Sequence, residues 1–347
     1  MEFILLRCLM QKRGFSPKSS SDSDATTMKR ISIFFVLFIA YSLGYAQNDI
    51  QYKMVVAQDG SGNFTTIQAA VDAAKAFPEK RITIYIKNGI YREKIRIPSC
   101  NNLLSLVGED AEKTIISWDD YFNKIGRGRN STFFTYTFLI EANDFYAENL
   151  TIENTAGEVG QAVALHVEGD RCVFKNCRLI GNQDTVYLNG EKSNQFFAGC
   201  TIEGTTDFIF GQATAVFYQC KIISKGDSYI TAASTTEGKS FGFVFKECNI
   251  TGTENVTKVY LGRPWRNYAK TVFMNCNLGK QIRVEGWENW NKPEAEKTAF
   301  YAEYKNTGAG ANIENRVSWS HQLTDKEAQD YTFKNILGDW VLQFTEN

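Results

Sequence analysis

The stretch FKNCRLIG (residues 174–181) returns as FAGCTIEG (197–204), FYQCKIIS (217–224), FKECNITG (245–252) and FMNCNLGK (273–280). Each copy reads Phe-x-x-Cys-x-aliphatic, and Cys177, Cys200, Cys220, Cys248 and Cys276 follow one another at intervals of 23, 20, 28 and 28 residues. FYAENLTIEN, from Phe145, has the same form with Glu148 in the cysteine slot. A variable period of this length, made of short alternating strands and polar turns, marks a solenoid in which each coil buries an apolar row and stacks on its neighbour. The predicted fold is all-β: a right-handed, single-stranded parallel β-helix with Phe and Cys of successive coils aligned as internal ladders.

Other segments agree. RITIYIKNG (81–89), NNLLSLVGE (101–109) and KTIISWDD (113–120) are short β-rich runs bounded by Gly, Asn and Asp. Two stretches have helical spacing instead. TTIQAAVDAAKAF, after Phe64, puts Ile67, Val71 and Ala74 on one face, and TDKEAQDYTFKNIL opens with Thr324 and Glu327 as a capping box. Solenoids need covered ends, so short capping helices are expected at both. The glycines of DGSGNF fit a turn into the first helix and lack the spacing of a phosphate loop.

Residues 28–46 carry Met28-Lys29-Arg30, the apolar run ISIFFVLFIA and small residues up to Ala46, which reads as a secretory signal peptide. Its apolar run is about half the ~20 residues that span a bilayer, so no stable membrane insertion is expected. Residues 1–27 are read as an upstream mis-start or disordered segment, and 47–347 as a single β-helix domain, exported to the periplasm or secreted. Residues 1–46 hold six of the 38 Lys/Arg and three of the 39 Asp/Glu, leaving 32 basic and 36 acidic residues. That balance gives no footprint for nucleic acid. Seven cysteines remain, an odd number spread too widely for a small disulfide scaffold. Core packing accounts for them, although Cys200 and Cys220 would fall on adjacent coils ~4.8 Å apart, within reach of a disulfide.

The repeat gives two aspartates a common position. Asp184 in GNQDTVYLNG follows Cys177 by seven residues, and Asp207 in TTDFIFGQ follows Cys200 by seven. Stacked on successive coils their backbones lie ~5 Å apart, where like charges push at least one pKa upward. Gln161 precedes Gln183 by 22 residues and Asp184 by 23, so a carboxamide holds nearly the same place one coil earlier. Paired carboxylates serve glycoside hydrolysis or acyl transfer. Neutral N–H donors beside a carboxylate suit an oxyanion forming on a carbonyl oxygen, which favours ester hydrolysis.

At these residues the chain resembles the pectinesterase (pectin methylesterase) family, and its bacterial type in particular. The likeness runs through AQDGSGNFTTIQAAVDA (57–73), GIYREKI (89–95), NTAG (154–157), QAVAL (161–165), GNQDTVY, DFIFGQA (207–213), YLGRPWRNYA (260–269), GWENW (286–290) and EYKNTGAGA (303–311), in family order. It implies a parallel β-helix that releases methanol from methyl-esterified polygalacturonate with no metal or other cofactor. On that resemblance Asp207 is the nucleophile, Asp184 the general acid and then base, and Gln161 with Gln183 the oxyanion cradle. Arg263 would bond Asp207 and keep it ionised, since a guanidinium lowers a carboxylate pKa by roughly 1 to 3 units. Trp265, Tyr187 and Phe210 match aromatic positions of the sugar groove, and Thr132 a substrate-contact threonine. Val186 stands where the family usually has Leu, and His166 after QAVAL is the bacterial rather than the plant choice.

His166 and His321 cannot form a metal site alone, and no Cys/His/Asp cluster has ligand spacing. The partner expected is methyl-esterified pectin, bound by a monomer. The alternatives are another pectin-active β-helix, a polygalacturonase or a lyase, and a non-catalytic carbohydrate-binding solenoid.

Overall fold

A computed structural model describes residues 51–345; the segments 1–27 and 28–46 lie outside the described residues. Three parallel sheets of 11, 8 and 7 strands carry the chain. In one coil, Cys172–Lys175 adds a strand to the first sheet, Arg178–Ile180 to the second and Val186–Leu188 to the third. The next coil lays Asn194–Ala198, Thr201–Gly204 and Ile209–Gly211 beside them in parallel. This is the single-stranded β-helix that the repeat predicts, with the right-handed sense of parallel crossovers. No helix of the described residues is long and apolar enough to cross a membrane.

The signature Phe-x-x-Cys can now be read residue by residue. Phe points inward from the first sheet, the next residue outward, the third turns the corner, and Cys points inward at the start of the second sheet. The corner residues Asn176, Gly199, Gln219, Glu247 and Asn275 have φ of 49°, 62°, 52°, 56° and 54°. Glycine adopts this backbone at least cost, yet most of these corners are not glycine. Bonds between stacked corners help hold them: Asn176 Nδ2 donates to Asn149 Oδ1 (2.6 Å) and Gln219 Nε2 to Glu247 Oε2 (3.1 Å).

Phe174, Phe197, Phe217, Phe245 and Phe273 stack with successive centroids 4.7, 4.9, 4.4 and 4.3 Å apart. The cysteines form a second ladder. The thiols of Cys200, Cys220, Cys248 and Cys276 each donate to the carbonyl of the Phe one coil earlier, at 3.3, 3.5, 3.2 and 3.5 Å. All are free and buried, Cys200 and Cys220 included, so core packing describes them and the bridge their adjacency would allow is not made.

The register corrects one assignment. Phe174 pairs with Ala147 and Lys175 with Glu148, so the cysteine slot of the earlier coil holds buried Leu150, and Glu148 faces outward beside the Tyr146 hydroxyl (2.9 Å). A slip of two residues leaves the apolar face of a strand unchanged, and sequence periodicity cannot detect it.

Both helical stretches form. Ile67–Ala73 buries Ile67, Ala70 and Val71, and its first N–H groups, those of Ile67 and Gln68, donate to the Glu93 carboxylate of GIYREKI at 2.8 and 2.9 Å. Near the other end, the Thr324–Glu327 capping box opens Asp325–Ala328, but the expected helical run breaks and resumes as Phe333–Leu337, capped by Thr332. Phe333, Ile336, Leu337 and Val341 pack against Val173, Phe196, Val216, Val244 and Val272 on the outer face of the first sheet. The inner Phe ladder stops at Glu303, paired with Phe273 in register and held by Arg316 at 2.7 Å, with both side chains almost fully buried.

Phe217 stacks on a ring above and a ring below, so Phe217→Ala leaves a cavity that neither neighbour can fill. It should cost about 3–5 kcal/mol in chemical denaturation. A loss below about 1 kcal/mol would show that the ladder is not a stabilising element.

Candidate active site

The aspartates sit where each coil turns from the second sheet into the third. Val186 pairs with Ile209 and Tyr187 with Phe210, which puts Asp184 directly beside Asp207, as the spacing predicts. Both have left-handed backbone, with φ of 65° and 50°, a conformation that Asp tolerates better than most residues. Their amides stay in the ladder: Asp184 N–H donates to Thr206 O (3.0 Å) and Asp207 N–H to Tyr229 O (2.9 Å). Four residues after Asp207, Gly211 closes DFIFG with φ of 126°, where a Cβ would collide with the Leu188 carbonyl.

Asp207 is held by a two-pronged ion pair. Arg263 Nε donates to Oδ1 at 2.9 Å and a terminal nitrogen to Oδ2 at 2.7 Å. The guanidinium lies between two rings, its carbon 3.9 Å from the Tyr229 centroid and 3.6 Å from that of Trp290, which fixes its plane. Asp184 makes no side-chain hydrogen bond among the described residues. Burial, then the charge of Asp207, pushes its carboxyl well above the usual carboxylate range, and Arg263 offsets this only in part.

For Asp207 the expected sign is reversed. Burial raises its pKa and the Arg263 bond lowers it, with a net upward shift. An arginine partner alone would lower the pKa, but desolvation of a side chain only 7% exposed outweighs it. The order of the two groups is as expected, because Asp184 has the same burial and no partner.

A cavity of about 420 Å³ opens over the pair and brings together Gln161, Gln183, Asp184, Asp207 and Arg263 with Phe210, Trp265 and Thr132. Neither glutamine side chain bonds another group among the described residues. Ala162 N–H donates to Gln183 O (3.1 Å), which sets Gln161 beside Gln183 on the neighbouring coil. Asn154 of NTAG explains how its surroundings are held: its Nδ2 donates to the carbonyls of Asp120 (2.8 Å), Val163 (3.0 Å) and Thr135 (3.2 Å), tying the Thr132 turn to the segment after Gln161.

Phe210 stacks on Tyr187 (4.7 Å, 21°), and Trp265 meets Phe210 at 5.9 Å. Tyr187 is the one expected residue that does not line the cavity; it packs behind Phe210 and Phe133. Arg129, Phe133, Ala232 and Trp290 line it without having been singled out from sequence. Trp290 ends the GWENW stretch, and Arg129 lies three residues before Thr132, so each falls within or close to a segment that carries the family likeness.

The raised Asp184 pKa fixes a stability trend. Asp184 holds its proton more tightly folded than unfolded, so wild-type stability falls as pH rises from the unfolded value towards the native one. Asp184→Asn should therefore raise Tm relative to wild type, with a gain that grows with pH above about 4 and then levels off. A gain independent of pH would refute the shift.

The fold and cavity define a parallel β-helix with a buried carboxylate pair lining an open cavity. The family model described as Pectinesterase matches residues 53–339. Pectinesterase 31 of Arabidopsis thaliana is 40% identical over 81% of this chain and 91% of its own length. A probable pectinesterase/pectinesterase inhibitor 23 of the same plant is 39% identical over 86% of this chain, which spans 55% of that relative. Among solved structures, the pectin methylesterase from carrot aligns with a TM-score of 0.79 at 34% identity, covering 85% of this chain and 96% of that one. That from Erwinia chrysanthemi aligns at 0.71 and 31%, covering 82% and 97%. A pectin methylesterase solved in complex with a hexasaccharide gives 0.71 and 31% over the same shares. The chain belongs to the pectinesterase family, a family of carboxylic ester hydrolases. Its likeness extends to plant as well as bacterial members, whatever His166 suggested.

Proposed function

We propose that the cavity hydrolyses the methyl ester at C6 of galacturonate units in pectin, releasing methanol and leaving de-esterified pectate. The observation that carries this reading is the unequal pair: Asp184 buried without a partner beside Asp207 clamped by Arg263. Asp184 is then the carboxyl that holds a proton more tightly and Asp207 the one that gives it up first, the division that acid and nucleophile require.

Asp207 attacks the ester carbonyl carbon, and the oxygen that gains charge accepts N–H bonds from Gln161 and Gln183. Asp184 protonates the methoxy oxygen as its bond to carbon breaks, so methanol leaves and an acyl anhydride remains on Asp207. The Asp184 carboxylate then takes a proton from water, whose oxygen attacks the anhydride and restores both groups. Trp265 and Phe210 offer flat apolar faces to the sugar rings, Thr132 a polar contact, and Tyr187 support from behind. Among the described residues no three His, Cys, Asp or Glu gather to hold a metal ion, and the proposed steps use none.

The proposal extends to a monomer acting outside the cytoplasm, periplasmic or secreted. Its support is that one chain supplies every group of the cavity, together with the signal-like sequence at 28–46 and a polymer substrate.

The test is methanol release from highly methylated pectin, with reducing ends and ultraviolet absorbance read in the same tubes. Methanol alone is expected; chain cleavage without methanol would move the carboxylate pair to the sugar linkage. Asp207→Ala should cut the rate by about 10⁴-fold or more with its circular dichroism unchanged, and a variant retaining a tenth of activity removes Asp207 as nucleophile. EDTA should leave the rate unaltered, and loss of activity that calcium restores would favour a lyase.

A further inference from the structure

The loop that carries Trp290 is held against its own backbone preference. Trp290 and Asn291 stand at φ of 58° and 52°, a left-handed conformation that is a genuine outlier for a bulky side chain. Two consecutive residues of this kind persist only where the surroundings over-determine them. Asn289 supplies part of the hold: its Oδ1 accepts from Asn291 N–H (2.9 Å), its carbonyl accepts from Lys292 N–H (3.1 Å), and its Nδ2 donates to Glu296 Oε1 (2.6 Å). Lys292 supplies the rest. Its ammonium donates to the carbonyls of Pro264 (3.1 Å) and Trp265 (3.0 Å), 28 and 27 residues earlier, and neither carbonyl accepts from another group among the described residues. The same nitrogen stands 4.8 Å from the Trp290 centroid, so that indole has both Lys292 and Arg263 as neighbouring cations.

Lys292 does not line the cavity and bonds neither aspartate. Burial, then repulsion from Arg266, lowers the pKa of its ammonium, so a charged group stands here at a disadvantage. What the charge provides is a bridge between two loops, one carrying Trp265 and the other Trp290, and both tryptophans line the cavity. We infer that Lys292 is a positioning residue, a clasp that fixes the separation of the two tryptophan walls and keeps Trp290 against Arg263. The clasp itself stands on these contacts, and its effect on turnover rests on the proposed esterase activity. That effect falls on KM. The two-pronged bond of Arg263 to Asp207 and the Tyr229 ring on the guanidinium do not depend on Lys292.

The experiment measures methanol release from methyl-esterified hexagalacturonate by wild type, Lys292→Met, Lys292→Arg and, as a control, Lys297→Met, which removes an exposed lysine five residues further on. Lys292→Met should raise KM by about tenfold, the low end for loss of a hydrogen bond from a charged group, with kcat within about twofold of wild type. Lys292→Arg keeps a cationic donor and should recover most of the loss, and Lys297→Met should match wild type. An unchanged KM in Lys292→Met overturns the proposal, as does an equal rise in Lys297→Met, no recovery in Lys292→Arg, or a loss confined to kcat. Lys292→Met should also keep the circular dichroism of wild type; loss of the folded spectrum would make the lysine a structural residue and overturn the proposal. Acrylamide quenching of tryptophan emission tests the clasp without turnover. Quenching should increase in Lys292→Met, and the increase should vanish when Trp290→Phe is added; equal quenching in wild type and Lys292→Met overturns the clasp. Absence of methanol from wild type would sink the esterase reading alone, since the quenching result still decides whether Lys292 holds the two loops together.

Discussion

Every coil stacks on the next at one strand spacing, ~4.8 Å, and this register governs both the core and the site. Inside the solenoid it places Phe on Phe and Cys on Cys, which is favourable because flat rings and small thiols repeat at that distance. Outside, the same rule places Asp184 on Asp207. Two carboxylates so close and so buried cannot both ionise cheaply. The difference between them is a product of the fold before any substrate arrives.

Arg263 decides which aspartate keeps the charge. Its fork reaches Asp207 from two coils further on, and the rings of Tyr229 and Trp290 on its two faces prevent it from swinging towards Asp184. The bond does not bring the Asp207 pKa below its ordinary value, because desolvation is the larger effect. What matters chemically is the gap between the groups, and burial raises both while the guanidinium holds down mainly one. The unbonded amides of Gln161 and Gln183 complete a cavity that offers N–H donors beside a carboxylate nucleophile.

Much of this was legible in the sequence because a solenoid repeats its local rules. Phe-x-x-Cys gave the coil, the interval of 23 residues gave the aspartate register, and Thr324 with Glu327 gave a helix start. The failures share a cause: they depend on residues distant in the chain or on properties that leave no periodic trace. Leu150 rather than Glu148 fills the cysteine slot, since strand periodicity is blind to a two-residue slip. The left-handed corners at Asp184 and Asp207 carry no glycine to announce them. The ring sandwich around Arg263 joins Tyr229 to Trp290, and Arg129 reaches the cavity only because a turn far upstream folds over it.

The central claim, that in-register stacking leaves Asp184 protonated beside a charged Asp207, is tested most directly by difference infrared titration of the carboxyl band. At neutral pH wild type should show one protonated buried carboxyl, which disappears in Asp184→Asn and persists in Asp207→Asn. A wild-type spectrum with every carboxyl ionised, or a protonated band that vanishes with Asp207→Asn instead, would contradict the account.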